Sequence, residues 1–125
     1  MPTILVVDDT ALAREAVAKL LEFEGFTVLR AEHGRDAWAM MYEHKPDLVV
    51  LDLMMPEMDG FTLLQMIRDS IRWRNLPVIV LTGYTDQDVF VERTRELKIQ
   101  ESIPKTSLGS DYLLTRVRQH LPAVA

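Results

Sequence analysis

Cysteine is absent from this 125-residue chain, which excludes disulfide bridges and thiolate metal sites and suits a reducing compartment. No apolar run approaches the roughly 20 residues that a membrane-spanning helix needs. The short apolar run near the N-terminus is interrupted at Asp8, so we do not expect a signal peptide. These absences together predict a cytoplasmic protein that does not contact the membrane.

The chain also lacks internal repeats, low-complexity segments and linkers rich in proline, glycine or serine. Its formal net charge of -5 shows no excess of basic residues and argues against direct binding of nucleic acid. Its hydrophobic content of 48% is sufficient for one compact core. We therefore predict a single domain over residues 1–125.

Short apolar runs alternate with amphipathic segments along the whole chain. The runs predict strands at residues 4–7, 26–29, 48–51, 78–81 and 99–103. Predicted helices follow at Asp9 or Thr10, near Gly34, at Asp59-Gly60, at Thr85 or Asp86, and around Leu113. This alternation predicts an α/β fold whose parallel sheet is covered by helices on both faces. The first, third and fourth strands are uninterrupted apolar runs and should be central.

The first predicted helix carries an apolar stripe at helical spacing, which should face the sheet. The members of the stripe are Leu12, Ala16, Val17, Leu20 and Phe23. Gly25 ends the helix, as a glycine after a C-terminus commonly does.

Polar residues stand at the carboxyl ends of four predicted strands. They are Asp8 and Asp9 after the first strand, Asp52 after the third, Thr82 after the fourth and Lys105 after the fifth. Ligands of open α/β sheets bind outside the carboxyl ends of the strands, so these side chains should converge. Grouped carboxylates repel one another unless a cation lies among them, and Mg²⁺ prefers hard oxygen ligands of this kind. A lysine and a hydroxyl can bind phosphoryl oxygens, which makes Asp52 the candidate nucleophile of a phosphoryl transfer.

Each of these residues, taken alone, has an ordinary structural explanation. Asp8 or Asp9 would cap the first helix, and Asp52 would form a turn. Thr82 would be a strand-end hydroxyl and Lys105 a solvated charge. Their joint occurrence at strand ends favours a functional site instead.

Three segments and one lysine resemble the receiver domain of two-component response regulators, and the resemblance covers nearly all of the chain. They are Ile4-Leu5-Val6-Val7-Asp8-Asp9, Asp52-Leu53-Met54-Met55-Pro56-Glu57-Met58-Asp59-Gly60, Pro77-Val78-Ile79-Val80-Leu81-Thr82-Gly83, and Lys105. The resemblance implies a five-stranded flavodoxin-like (βα)5 sheet with strand order 2-1-3-4-5. It also implies that Asp52 accepts a phosphoryl group from a sensor histidine kinase or a histidine phosphotransfer protein. Thr82 and Lys105 would contact the phosphoryl oxygens.

The same resemblance implies a magnesium site at this edge of the sheet. Asp9, Asp52 and the backbone carbonyl of Met54 would bind Mg²⁺, and Asp8 would hold a metal-bound water. The domain would not be an enzyme: it would catalyse only its own phosphorylation and slow dephosphorylation. Slow loss of the phosphoryl group is expected because the side chains of Met54 and Tyr84, which flank the site, are poorly suited to orienting an attacking water molecule.

The resemblance further implies where partners bind. The first helix and its adjoining loops would meet the phosphodonor. The fourth predicted helix, the fifth strand and the last helix would form the signalling face, which would bind a downstream protein or an output domain and could also form a homodimer.

Two residues depart from the family pattern near the lysine. Ser102 stands where the family usually has an aromatic residue, and Thr106 stands where it usually has a proline after a cis bond. Because a cis bond before a residue other than proline costs about 2.5–4 kcal/mol, we expect the Lys105–Thr106 bond to be trans. Pro104 would shape the turn instead, and the Ile103–Pro104 bond should also be trans.

These departures keep one alternative open, a degenerate receiver that acts as a phosphorylation-independent interaction module. A phosphatase of the haloacid dehalogenase-like type is disfavoured, because Met54 occupies the position where such enzymes need a second aspartate. A flavin carrier is also disfavoured, because the first loop is acidic where phosphate binding requires small or hydroxyl residues.

Overall fold

The computed structural model describes residues 2–53, 60–82, 97–104 and 111–121, with the side chains of Thr82, Glu101 and Pro104 left out. The strands are β1 (Thr3–Val7), β2 (Thr27–Ala31), β3 (Leu48–Asp52), β4 (Val78–Thr82) and β5 (Glu101–Pro104). The described helices are α1 (Ala11–Phe23), α2 (Gly34–His44), α3 (Gly60–Asp69) and α4 (Asp111–His120). The helix predicted from Thr85 or Asp86 lies outside the described residues, so α4 is the last helix of the sequence prediction.

All neighbouring strands are parallel, and their order in the sheet is β2-β1-β3-β4-β5. This order confirms the flavodoxin-like topology, and it confirms that the first, third and fourth strands are central. Their apolar residues are fully buried, as strands covered on both faces require. Among the described helices, none is long and apolar enough to cross a membrane.

Alternate residues of the strands enter two apolar clusters on opposite faces of the sheet, because successive side chains of a strand point in opposite directions. Leu5, Val7, Val49 and Leu51 pack on one face with residues of α2 and α3. Ile4, Val6, Leu48 and Val50 pack on the other face with residues of α1 and α4.

The buried face of α1 differs from the predicted stripe. Leu12 and Phe23 are 83% and 87% exposed, and the buried residues of the helix are Val17, Ala18 and Leu21. At 100° per residue, Leu12 and Phe23 lie on the far flank of the helix from the direction that these three share. The prediction was right for Val17, which is buried, and for Leu20, which is partly buried against the same cluster. It was wrong for Leu12, Ala16 and Phe23, which are exposed, and it left out the buried Ala18 and Leu21.

Ion pairs on the outer side fix α1 to the edge strand β2. The guanidinium of Arg30 donates from Nε to Glu15 Oε2 at 2.9 Å and pairs with both carboxylate oxygens of Glu22 at 2.8 and 3.0 Å. The hydrogen bond from Arg30 lowers the pKa of Glu22 below its ordinary value, and the Glu22 carboxylate in turn raises the pKa of Arg30.

Candidate functional site

Three carboxylates meet at the carboxyl edge of the central strands. Asp8 and Asp9 follow β1 directly, and Asp52 is the last residue of β3. The parallel pairing of β1 with β3 sets Val7 opposite Leu51, so the residues that follow these two lie side by side. One oxygen from each carboxylate lies within 4.8 Å of the others. The sequence prediction that these three residues converge is therefore confirmed.

Asp8 is held by its main chain and by its side chain. Its backbone N–H donates to the carbonyl of Ala31 at 3.1 Å, and Arg14 Nη1 donates to its carbonyl at 3.0 Å. Its Oδ1 accepts the backbone N–H of Thr10 at 2.9 Å, immediately before α1 begins. Thr10 itself makes no side-chain capping hydrogen bond. Asp8 therefore supports the start of the helix and belongs to the carboxylate group, which combines the two interpretations that the sequence left open.

The main chain around Asp52 is packed against the first residue of α3. Gly60 donates its N–H to the carbonyl of Leu53 at 3.0 Å. A Cβ added at Gly60 would collide with the Cα of Leu53 and the carbonyl oxygen of Asp52. Only glycine allows this approach, so Gly60 helps to fix the end of β3. The sequence indicated Gly60 as a helix start but carried no signal of the contact, because that contact exists only once α3 has folded back onto β3.

The backbone of Thr82 ends β4 at the same edge of the sheet. The register of β3 and β4 pairs Asp52 with Leu81, which places the backbone of Thr82 one residue beyond that pair. Its neighbour in β5 is Pro104. The backbone thus brings Thr82 to the predicted edge, while the predicted contact of its hydroxyl lies outside the described side chains.

Two further predicted site residues, Met54 and Lys105, lie outside the described residues, and so does the Lys105–Thr106 bond. Ser102 pairs with Val80 and is exposed, whereas the next residue of β5, Ile103, is fully buried. Within the described ranges there is no cis peptide bond, so the Ile103–Pro104 bond is trans as expected.

The three carboxylates form a donor set that fits a hard divalent cation. Asp8 is fully buried and Asp52 is 2% exposed, while Asp9 is the most exposed of the three. Oxygen ligands of this kind suit Mg²⁺ or Mn²⁺, which keep several waters and bind through few carboxylates. A cation here would also offset the repulsion among the carboxylates, so the residues present fit such an ion.

A family model described as "Response regulator receiver domain" matches residues 4–118. Among curated proteins, the chain is 34% identical over 116 residues to the DNA-binding dual master transcriptional regulator RpaA of Synechocystis, covering 93% of this chain and 43% of that protein. The crystal structure of a response regulator receiver protein from Pseudomonas putida is similar, with a TM-score of 0.86 and 31% identity over 95% of this chain and 97% of that chain.

The Mn(2+)-bound form of the response regulator Rcp1 is also similar, with a TM-score of 0.81 and 23% identity over 98% of this chain and 100% of that chain. At this identity the likeness shows the fold alone. The chain spans less than half the length of the curated relatives it matches, at 43% and 48% for two of them.

Proposed function

Because the chain belongs to the receiver domain family of response regulators, we propose that Asp52 is the phosphoacceptor of a two-component phosphorelay. The observation that carries the proposal is the position of Asp52. It ends the central strand β3, it is almost completely buried, and its carboxylate lies beside those of Asp8 and Asp9. A lone strand-end aspartate would need no such neighbours.

Asp8, Asp9 and Asp52 would hold Mg²⁺, together with the backbone carbonyl of Met54. When bound, the ion neutralises negative charge on the phosphoryl group and on the carboxylates. The Mn(2+)-bound form of Rcp1 supports a divalent cation in this fold, and the proximity of the three carboxylates supports its binding between them in this chain. Asp8 would orient a water bound to the ion.

In the proposed reaction, a carboxylate oxygen of Asp52 attacks the phosphorus of a phosphohistidine. The phosphorus–nitrogen bond breaks, an acyl phosphate forms, and the imidazole leaves with the electron pair and takes up a proton. Thr82 and Lys105 would contact the phosphoryl oxygens and stabilise their charge. The chain is not an enzyme under this proposal. Its own dephosphorylation would be slow, because the side chains of Met54 and Tyr84 are poor groups for activating water.

The phosphodonor would be a sensor histidine kinase or a histidine phosphotransfer protein. The signal would pass through β5, α4 and the helix predicted from Thr85 or Asp86 to a downstream protein or output domain, and the same face could form a homodimer. The DNA-binding function named for RpaA would belong to an output domain, since the net charge of this chain does not favour nucleic acid. The lack of cysteine suits the cytoplasmic location that we propose.

One observation favours a second candidate, a degenerate receiver that binds partners without phosphorylation. Ser102 is exposed on β5, and it stands where the family usually has an aromatic residue. The intact carboxylate group favours the phosphoacceptor over this alternative.

Incubation with acetyl phosphate and Mg²⁺, followed by mass spectrometry, tests the proposal. We expect one added phosphoryl group on the wild-type protein, lost in Asp52→Ala and retained in the control Asp36→Ala, which removes an exposed carboxylate from the first turn of α2. A wild-type protein that stays unmodified, and also fails to bind beryllofluoride with Mg²⁺, would favour the degenerate receiver.

A further inference from the structure

Gln100 joins the beginning of β4 to the segment that leads into β5. Its side-chain Oε1 accepts a hydrogen bond from the backbone N–H of Val78 at 2.6 Å, and its backbone N–H donates to the carbonyl of Val78 at 2.9 Å. A single residue thus satisfies both backbone groups of Val78, which is fully buried and begins β4. These two contacts fix which residue of the incoming segment lies opposite Val78.

Arg68, near the end of α3, joins the same segment to the loop that precedes β4. Its guanidinium donates to the carbonyls of Leu97 at 2.7 Å, Leu76 at 2.8 Å, Arg74 at 3.1 Å and Lys98 at 3.1 Å, and approaches Gln100 Oε1 at 3.5 Å. Each of these acceptors is a neutral oxygen. Burial of the guanidinium lowers the pKa of Arg68, because the charged form loses part of its hydration. The hydrogen bonds to main-chain carbonyls offset this loss of hydration.

The segment needs such support because its backbone is unfavourable. Lys98 has a φ of 53°, in the left-handed region that favours glycine. The hydrogen bond from Arg68 Nη2 to the carbonyl of Lys98 holds the chain in this turn. We call Arg68, Gln100 and their main-chain acceptors the β5 clamp.

The strand that follows, β5, has few buried apolar side chains that could fix its register. It has four residues and lies at the edge of the sheet. Of its described side chains, Ile103 is buried and Ser102 is exposed, and Pro104 has no N–H to donate. A slip of one residue would exchange the two faces of the strand. The hydrogen bonds of the β5 clamp therefore help to fix the register of β5 against β4, which one buried isoleucine does not fix alone.

We propose that Arg68 and Gln100 are positioning residues that set the register of β5 and thereby the point from which the chain continues to Lys105. The inference rests on the proposed function, in which Lys105 contacts the phosphoryl group. Lys105 follows Pro104 directly, and Pro104 is paired with Thr82 in the observed register.

A double-mutant cycle tests the inference through the initial rate of Asp52 phosphorylation by acetyl phosphate with Mg²⁺. We expect Arg68→Met to lower the rate about tenfold, because small displacements of a positioned group have large effects on rate. Gln100→Met should lower it about threefold, since Gln100 is exposed and water can partly replace its oxygen. In a Lys105→Ala background both effects should shrink to less than about twofold, because interacting residues are not additive.

Matched controls separate positioning from general loss of structure. Arg35→Met removes an exposed guanidinium from α2, and Gln65→Met removes an exposed amide that donates to Asp69; neither should change the rate. Gln100→Glu keeps an acceptor for Val78 and should restore the rate. The Mg²⁺ affinity of the Arg68 and Gln100 variants should stay at the wild-type value, because the carboxylates lie at the ends of β1 and β3, whereas the clamp holds β4 and β5.

Equal rate losses in the wild-type and Lys105→Ala backgrounds would overturn the inference, because the clamp would then act through stability alone. Unchanged rates in Arg68→Met and Gln100→Met would overturn it as well, while leaving the proposed function intact. A wild-type protein that is not phosphorylated at Asp52 would overturn the proposed function, and the inference with it.

Discussion

Gly60 packs its Cα against the main-chain carbonyl of Asp52, in a space that has no room for a Cβ. The contact joins the first residue of α3 to the last residue of β3, and the hydrogen bond from Gly60 to Leu53 strengthens it. The position of the proposed phosphoacceptor therefore depends on a residue that has no side chain.

Replacing Gly60 by alanine should lower both stability and phosphorylation. Alanine normally stabilises a helix by about 0.5–1 kcal/mol relative to glycine, but here the added methyl group must displace the main chain of β3. We expect Gly60→Ala to reduce the free energy of unfolding by about 1–3 kcal/mol, as overpacking usually does. Urea denaturation measures this change, and acetyl phosphate labelling measures the effect on Asp52.

Ala39→Gly provides the reference for this measurement, because Ala39 is exposed within α2 and reports the ordinary difference between the two residues. It should also destabilise, by about 0.5–1 kcal/mol. A gain in stability for Gly60→Ala would show that α3 does not approach β3 as closely as described.

Binding of Mg²⁺ should stabilise the folded protein and should require Asp9. A ligand that binds only the folded state at 100 times its dissociation constant adds about 2.7 kcal/mol to the free energy of unfolding. We expect the midpoint of thermal unfolding to rise with Mg²⁺ in the wild type and to change little in Asp9→Asn. In the presence of EDTA, Asp9→Asn should be at least as stable as the wild type, because one repelling charge is removed.

The exposed Asp36→Asn should retain the full response to Mg²⁺. An Asp9→Asn variant that responds like the wild type would exclude Asp9 from the metal site.

Lys45 ends α2 with a φ of 50°, and glycine should be better than lysine at this position. The left-handed conformation costs an L-residue about 1–2 kcal/mol, whereas glycine adopts it freely but loses more entropy on folding. We expect a net gain of up to about 1 kcal/mol in the free energy of unfolding for Lys45→Gly, measured by urea denaturation. Lys19→Gly, at an exposed position within α1, should instead lose about 1 kcal/mol. A loss at both positions would contradict the assigned turn.

The contribution of Glu22 to stability should disappear in acid. Its pKa is lowered in the folded state by the hydrogen bond from Arg30. Below the unfolded value of 4.5, the unfolded chain therefore binds more protons than the folded one, and stability falls as the pH drops through the folded pKa. We expect Glu22→Gln to be less stable than the wild type at pH 7 and to approach it below pH 4.5.

Glu43→Gln removes an exposed carboxylate from α2 and serves as the matched control for the change from glutamate to glutamine. A Glu22→Gln difference that persists unchanged in strong acid would assign the effect to packing of the side chain.

The sheet could be predicted from the sequence because its signals are local. Uninterrupted apolar runs identified the central strands, and polar residues at strand ends identified Asp8, Asp9 and Asp52 as a group. The buried face of α1 was predicted only in part: Leu12 and Phe23 gave a strong hydropathy signal but are exposed, whereas the small Ala18 is buried. The contact of Gly60 with the end of β3 and the pairing of Gln100 with Val78 could not be predicted, because both depend on how separate elements pack in the folded chain.

The hydrogen bond between Asp8 and Thr10 gives the protein a built-in spectroscopic reporter. The Thr10 amide is the donor to a carboxylate of the proposed metal site, and it stands one residue before α1. A cation that binds at this site should withdraw negative charge from the Asp8 carboxylate and weaken its hydrogen bond with the Thr10 N–H. The amide resonance of Thr10 should therefore shift when the metal binds. The occupancy of the proposed metal site could thus be measured at the start of α1, the helix that is expected to meet the phosphodonor.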